Sequence, residues 1–125
     1  MESRLEEKEL RDQVVELKDF EERKFHHLVE NFYVMKSALR YYSVKKGKSF
    51  TSSQVSEDFP MAVTVAGASL SLLAELDIVD PRRRSSSPDR YLPEEVDMHR
   101  MSLLEKVLQR NHEIQNFLPE GEVEK

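Results

Sequence analysis

Between Phe25 and Tyr42 the apolar residues Phe25, Leu28, Phe32, Met35, Leu39 and Tyr42 recur at alternating steps of three and four. That period holds them on one face of an α-helix, and Val29, Tyr33, Val34 and Ala38 widen the stripe. Neither proline nor glycine interrupts the chain from Glu2 to about Lys46, and Gly47 supplies a stop, so the pattern predicts one long helix. Its first half differs from its second. Leu5, Leu10, Val14 and Leu17 make a thin stripe among charges, and the register breaks near Phe20. A stripe that lies so far outside the main seam predicts an extension, residues 1–24, that pairs with another chain.

The middle of the chain reads as two shorter helices. Thr51 and Gln54 form a capping box, in which the Thr hydroxyl takes an orphan amide of the first turn, and Phe50 and Val55 occupy the staple positions around it. Phe59-Pro60 ends that helix, because a residue before proline is pushed out of the α region. From Met61 to Leu76 the spacing of Ala66, Leu70, Leu73 and Leu76 or Leu72 predicts a second helix with one apolar face. Ile78-Val79 then leads into a basic, serine-rich loop, Asp80 to Arg90, that ends at Tyr91-Leu92. Leu92-Pro93-Glu94-Glu95 predicts a last helix start, and Met101, Leu104, Leu108 or Val107, Ile114 and Phe117 or Leu118 mark one face down to Pro119. Residues 119–125 are expected to be a frayed, disordered acidic tail.

Helix, turn, helix, hairpin over residues 50–92 resembles a winged helix-turn-helix. Leu70, Leu73, Leu76, Ile78 and Val79 stand where such regulators close the second helix and turn into a two-stranded wing. Asp77 holds the usual glycine position, and Asp tolerates a left-handed backbone better than most residues. The resemblance implies a mainly α fold with a small β-hairpin wing, flanked by long N- and C-terminal helices. It places residues 25–118 in one winged-helix domain, whose C-terminal helix would join the N-terminal one in a homodimer interface.

Composition narrows the class. A chain of 125 residues suits one domain, and 34% charged against 38% hydrophobic residues suits solvated helices. Cysteine is absent, which removes disulfides, thiolate zinc sites and cysteine nucleophiles and fits a reducing interior. No apolar run of about 18 residues and no signal pattern appears, so a cytoplasmic, non-membrane protein is expected.

The net charge of −5 conceals an asymmetry: residues 1–30 carry −4, residues 31–92 carry +3 and residues 93–125 carry −4. The cations gather on the unit with the winged-helix resemblance. Phosphate contact depends on such local patches, so the acidic whole does not exclude nucleic acid. Lys45, Lys46, Lys48, Arg82, Arg83, Arg84 and Arg90 are the expected phosphate contacts, and Thr51, Ser52, Ser53, Thr64, Gly67, Ala68 and Ser71 the expected groove-facing residues. The same charges also fit an ordinary solvated surface, and Ser85 to Ser87 a loop open to phosphorylation.

The outer face of the second helix, Thr64, Val65, Gly67, Ala68, Ser71 and Leu72, lacks the Arg, Lys, Asn and Gln that read base edges most sharply. Two functions therefore stand: a dimeric winged-helix protein that binds double-stranded DNA as a small transcriptional regulator, or a protein-interaction module on the same scaffold. Catalysis is not expected. His26 and Glu30 share a helical turn beside His27, but a catalytic zinc needs three protein ligands, and His99 and His112 lie far off in sequence. Ser85 to Ser87 have no base beside them, and Gly47 and Gly67 stand alone, so no cofactor or metal is implied.

Overall fold

The computed structural model describes residues 2–45, 49–82 and 90–110, with side chains for residues 5–45, 49–80 and 90–109. Lys46, Lys48, Arg83, Arg84, Ser85 to Ser87, His112, Ile114, Phe117, Leu118 and the tail lie outside the described residues.

The long helix expected from Glu2 to Lys46 is three helices: α1 (Glu2–Phe20), α2 (Glu22–Glu30) and α3 (Phe32–Lys45). The breaks fall at Glu21 (φ −123°, ψ 53°) and Asn31 (φ −117°, ψ 24°). Neither break needs glycine or proline. At the second, the Asn31 side-chain amide donates to the His27 carbonyl at 3.0 Å, the same acceptor its own backbone N–H uses at 3.2 Å, and so competes with the helix ladder. The two bends let successive segments lie against different partners, α1 on α6 (Met98–Arg110) and α2 on α5 (Val63–Glu75).

The apolar stripe of α1 is covered in part within the chain. Leu10 and Val14 are 0% and 1% exposed, in the same core as Phe25, Leu28, Leu39 and Leu104, Leu17 is half-buried and Leu5 is 58% exposed. The bend at Glu21 folds α1 back onto α6.

Local chemistry behaves as expected through the middle. In α4 (Ser52–Asp58) the Thr51 hydroxyl accepts from the Gln54 N–H at 3.2 Å, and Phe50 and Val55 are buried on either side of that start. Phe59 is extended before Pro60 (φ −133°, ψ 154°), which ends the helix. Met61 is buried in the turn rather than helical, and α5 runs Val63–Glu75.

The end of α5 is a paired cap. Ile78 N–H donates to the Leu73 carbonyl at 2.9 Å and Asp77 N–H to the Ala74 carbonyl at 3.0 Å, with Leu73 and Ile78 both buried. This arrangement needs a left-handed residue in between, and Asp77 supplies it at φ 63°. Asp77→Gly is expected to raise stability by about 1 kcal/mol, since glycine adopts that backbone without the Cβ penalty. A lower denaturation midpoint for the variant would refute this account of the cap.

Beyond the cap, β1 (Pro81–Arg82) pairs antiparallel with β2 (Arg90–Tyr91), Pro81 opposite Tyr91 and Arg82 opposite Arg90. Phe50 joins from the other side: its N–H donates to the Tyr91 carbonyl at 3.0 Å and its carbonyl accepts from the Tyr91 N–H at 2.8 Å. The last helix does not begin at Pro93. Pro93–Glu95 is one 3-10 turn, Val96 is extended, and Asp97 Oδ1 accepts from the Arg100 N–H at 2.9 Å, so Asp97 starts α6 instead.

Candidate nucleic-acid interface

The region around the Phe50–Tyr91 bridge is held by aromatic rings. Tyr42 stacks on Phe50 at 4.5 Å and 7°, Phe50 leans on Tyr91 at 5.7 Å, and Tyr42 and Tyr41 both meet Phe59 edge-on. The Tyr42 hydroxyl donates to Asp58 Oδ2 at 2.7 Å, joining α3 to the end of α4. Burial, and then the bond to Asp58, push the phenol above its usual range, so Tyr42 stays a neutral structural donor. The start of α4, the turn before α5 and strand β2 are thereby anchored to α3.

On this frame the expected groove residues fall into two groups. Thr51 follows the bridged Phe50 and Arg90 precedes the bridged Tyr91, so the α4 cap and an exposed arginine stand next to one two-bond junction. Ser53 and Thr64 are exposed, and Ala68 and Ser71 half-buried on the outer side of α5. Gly67 is half-buried beside α4. A Cβ placed on it would lie 3.7 Å from Ser52 Oγ, so Gly67 and Ser52 mark the close approach of α5 to α4. Leu72, expected on the outer face, is 0% exposed and belongs to the core.

The phosphate contacts expected from sequence are brought together only in part. Arg82 and Arg90 are direct cross-strand partners. Lys45 is exposed at the end of α3, where its ammonium lies 3.2 Å from the Tyr41 hydroxyl and 5.2 Å from that ring's centre.

One cation escaped sequence reasoning. Lys24 of α2 reaches across to α5, its Nζ donating to Ser71 Oγ at 3.1 Å and lying 3.5 Å from Glu21. The face that carries no cation of its own thus receives one from a residue 47 positions away, which no local spacing could signal. A second, Arg100, serves the fold: it donates to the Leu76 carbonyl at 2.6 Å, to Glu6 at 3.1 Å and to Gln13 at 3.1 Å, tying α1 and α6 to the end of α5.

Among the described residues no three His, Asp or Glu side chains are placed to hold a metal ion. His26 is paired with Glu30 at 2.9 Å on the helix surface. No helix among the described residues is long and apolar enough to cross a membrane.

No protein-family model, curated protein or solved structure matches the chain.

Proposed function

We propose that this chain binds double-stranded DNA through a winged helix-turn-helix, as a small transcriptional regulator whose grip is mainly on phosphates. The observation that carries the reading is the backbone register that sets position 82 opposite position 90 on the strand pair, next to the bridged Tyr91. With Arg82, Arg83, Arg84 and Arg90 all in this stretch of sequence, that register supports a local concentration of positive charge, which is what phosphate contact requires.

The chain order supports the same reading. Helix α3, the bridged Phe50, α4, a Phe59-Pro60 turn, α5 and two antiparallel strands follow one another as the elements of a winged helix do. In this proposal α4 and α5 are the helix pair, and Arg82, Arg83, Arg84 and Arg90 belong to the wing. Lys45, Lys46 and Lys48 add phosphate contacts beside the α4 cap. Thr64, Ala68 and Ser71 approach the groove with small side chains and give modest base discrimination, because bidentate donors are missing from them. Leu72, expected on the outer face of the second helix, is core and takes no part in this approach.

Anisotropy titration of a mixed-sequence duplex of roughly 30 base pairs at several salt concentrations tests the proposal. Binding should weaken steeply with salt, and the Arg82→Ala, Arg83→Ala, Arg84→Ala triple variant should lower the salt slope by about three units with little change in sequence preference. Absence of binding by the folded chain at low salt would overturn it.

The second reading, a protein-interaction module, draws on a specific contact. Lys24, the cation that reaches α5, is paired with Glu21, which leaves a small, nearly neutral surface suited to another helix. A folded chain that ignores DNA is the outcome that selects it. The DNA reading does not depend on a second copy of the chain; of the α1 stripe, Leu10 and Val14 are covered within the chain and Leu5 is 58% exposed.

A further inference from the structure

We infer that α1 can exchange between two copies of this chain, each copy's α1 packing on the α6 of the other. Three features lead there. The first is the linker: α1 and α2 are separated by Glu21 alone, and no glycine or proline stands anywhere in residues 2–45. Such a sequence is compatible with one continuous helix through Glu21, and only the packing of α1 on α6 bends it. The helical bonds on each side of the bend already exist, Glu21 N–H to Leu17 at 2.7 Å and Phe25 N–H to Glu21 at 2.9 Å.

The second feature is that the seat of α1 is self-contained. Leu10 and Val14 go into the core beside α6, and Arg100 of α6 holds Glu6 and Gln13. These contacts can be remade without change on the α6 of another copy.

The third is geometry. Val14 and Leu10, seven and eleven positions before the bend, lie roughly 10 and 16 Å from the hinge along a rigid helix, so straightening at Glu21 swings both off the surface they pack on. Their own α6 is then out of reach, and both α1 and α6 expose apolar surface that a second opened copy covers. Short connections that force a chain back on itself are where such exchange starts. Phe20, 77% exposed one residue before the bend, is an apolar side chain left uncovered in the folded-back form.

Sedimentation equilibrium of the full chain tests this with two hinge variants. Glu21→Ala raises helix propensity at both hinges of a pair and so favours the straight helix, and dimerisation should tighten roughly fourfold. Insertion of Gly-Gly-Ser after Glu21 lets α1 fold back freely and should weaken it, with helix content by circular dichroism verifying the fold. Exchange itself is read by mixing chains carrying Glu6→Cys with chains carrying His99→Cys. The protein has no cysteine of its own, and these side chains lie 3.9 Å apart across the α1–α6 contact. After mixing, a short bismaleimide should join the two kinds of chain, while a chain carrying both substitutions shows that the positions are within its span. Monomers for both the wild type and Glu21→Ala at the highest soluble concentration would overturn the inference. So would a dimer whose differently substituted chains do not cross-link although the doubly substituted chain does.

Discussion

Phe50→Ala should destabilise the protein by about 4 kcal/mol, because a fully buried phenylalanine leaves a cavity that its neighbours fill only partly. Phe50 is not simply another core residue. Its ring is stacked on Tyr42 and leans on Tyr91, while its backbone exchanges two hydrogen bonds with Tyr91. Removing the ring leaves those backbone bonds to hold the strand pair to the start of α4 without the packing that shields them. Urea denaturation followed by circular dichroism measures the loss. A cost below about 1 kcal/mol would mean that the aromatic cluster does not anchor the ladder. The same variant, assayed where it is still folded, should bind duplex DNA less tightly under the proposed function, since Arg90 sits beside the weakened junction.

The second large effect lies in α1. Leu10→Ala should cost about 3 kcal/mol, in the range for a leucine without solvent exposure, whereas an exposed position on a solvated helix would change stability by less than about 0.5 kcal/mol. The contrast is within the helix itself: Leu5 is 58% exposed and Leu5→Ala should fall in the small class. Equal, small effects at both positions would show that α1 is not part of the core. Since the contacts of Leu10 are the same whether α1 rests on its own α6 or on a partner's, the test bears on packing and not on exchange.

Much of this architecture was legible from residue order because it rests on short-range chemistry. The cap at Thr51, the stop at Phe59-Pro60, the apolar face of α5 and the left-handed Asp77 each involve residues within a few positions of one another, where backbone sterics and side-chain hydrogen bonds decide the outcome. The buried seam Phe25, Leu28, Phe32, Met35, Leu39 and Tyr42 was legible for the same reason, since period places them on one face, whereas Tyr33, expected to widen that face, is 40% exposed.

Tertiary packing decided the rest. Whether a proline-free helix bends at Glu21 and Asn31 depends on what lies beside it, and the apolar surfaces of α5 and α6 draw its segments onto one core. That is why Leu10 and Val14 are covered within the chain, and why Leu72 is buried despite standing on the side of α5 that local register leaves open. In the candidate interface the same division holds. The cations of the basic stretch are visible as composition, but the backbone register of position 82 opposite position 90, the close approach of α5 to α4 at Gly67, and the reach of Lys24 to Ser71 come from long-range register and helix packing. Those depend on the free energy of burying whole surfaces, which no window of a few residues contains.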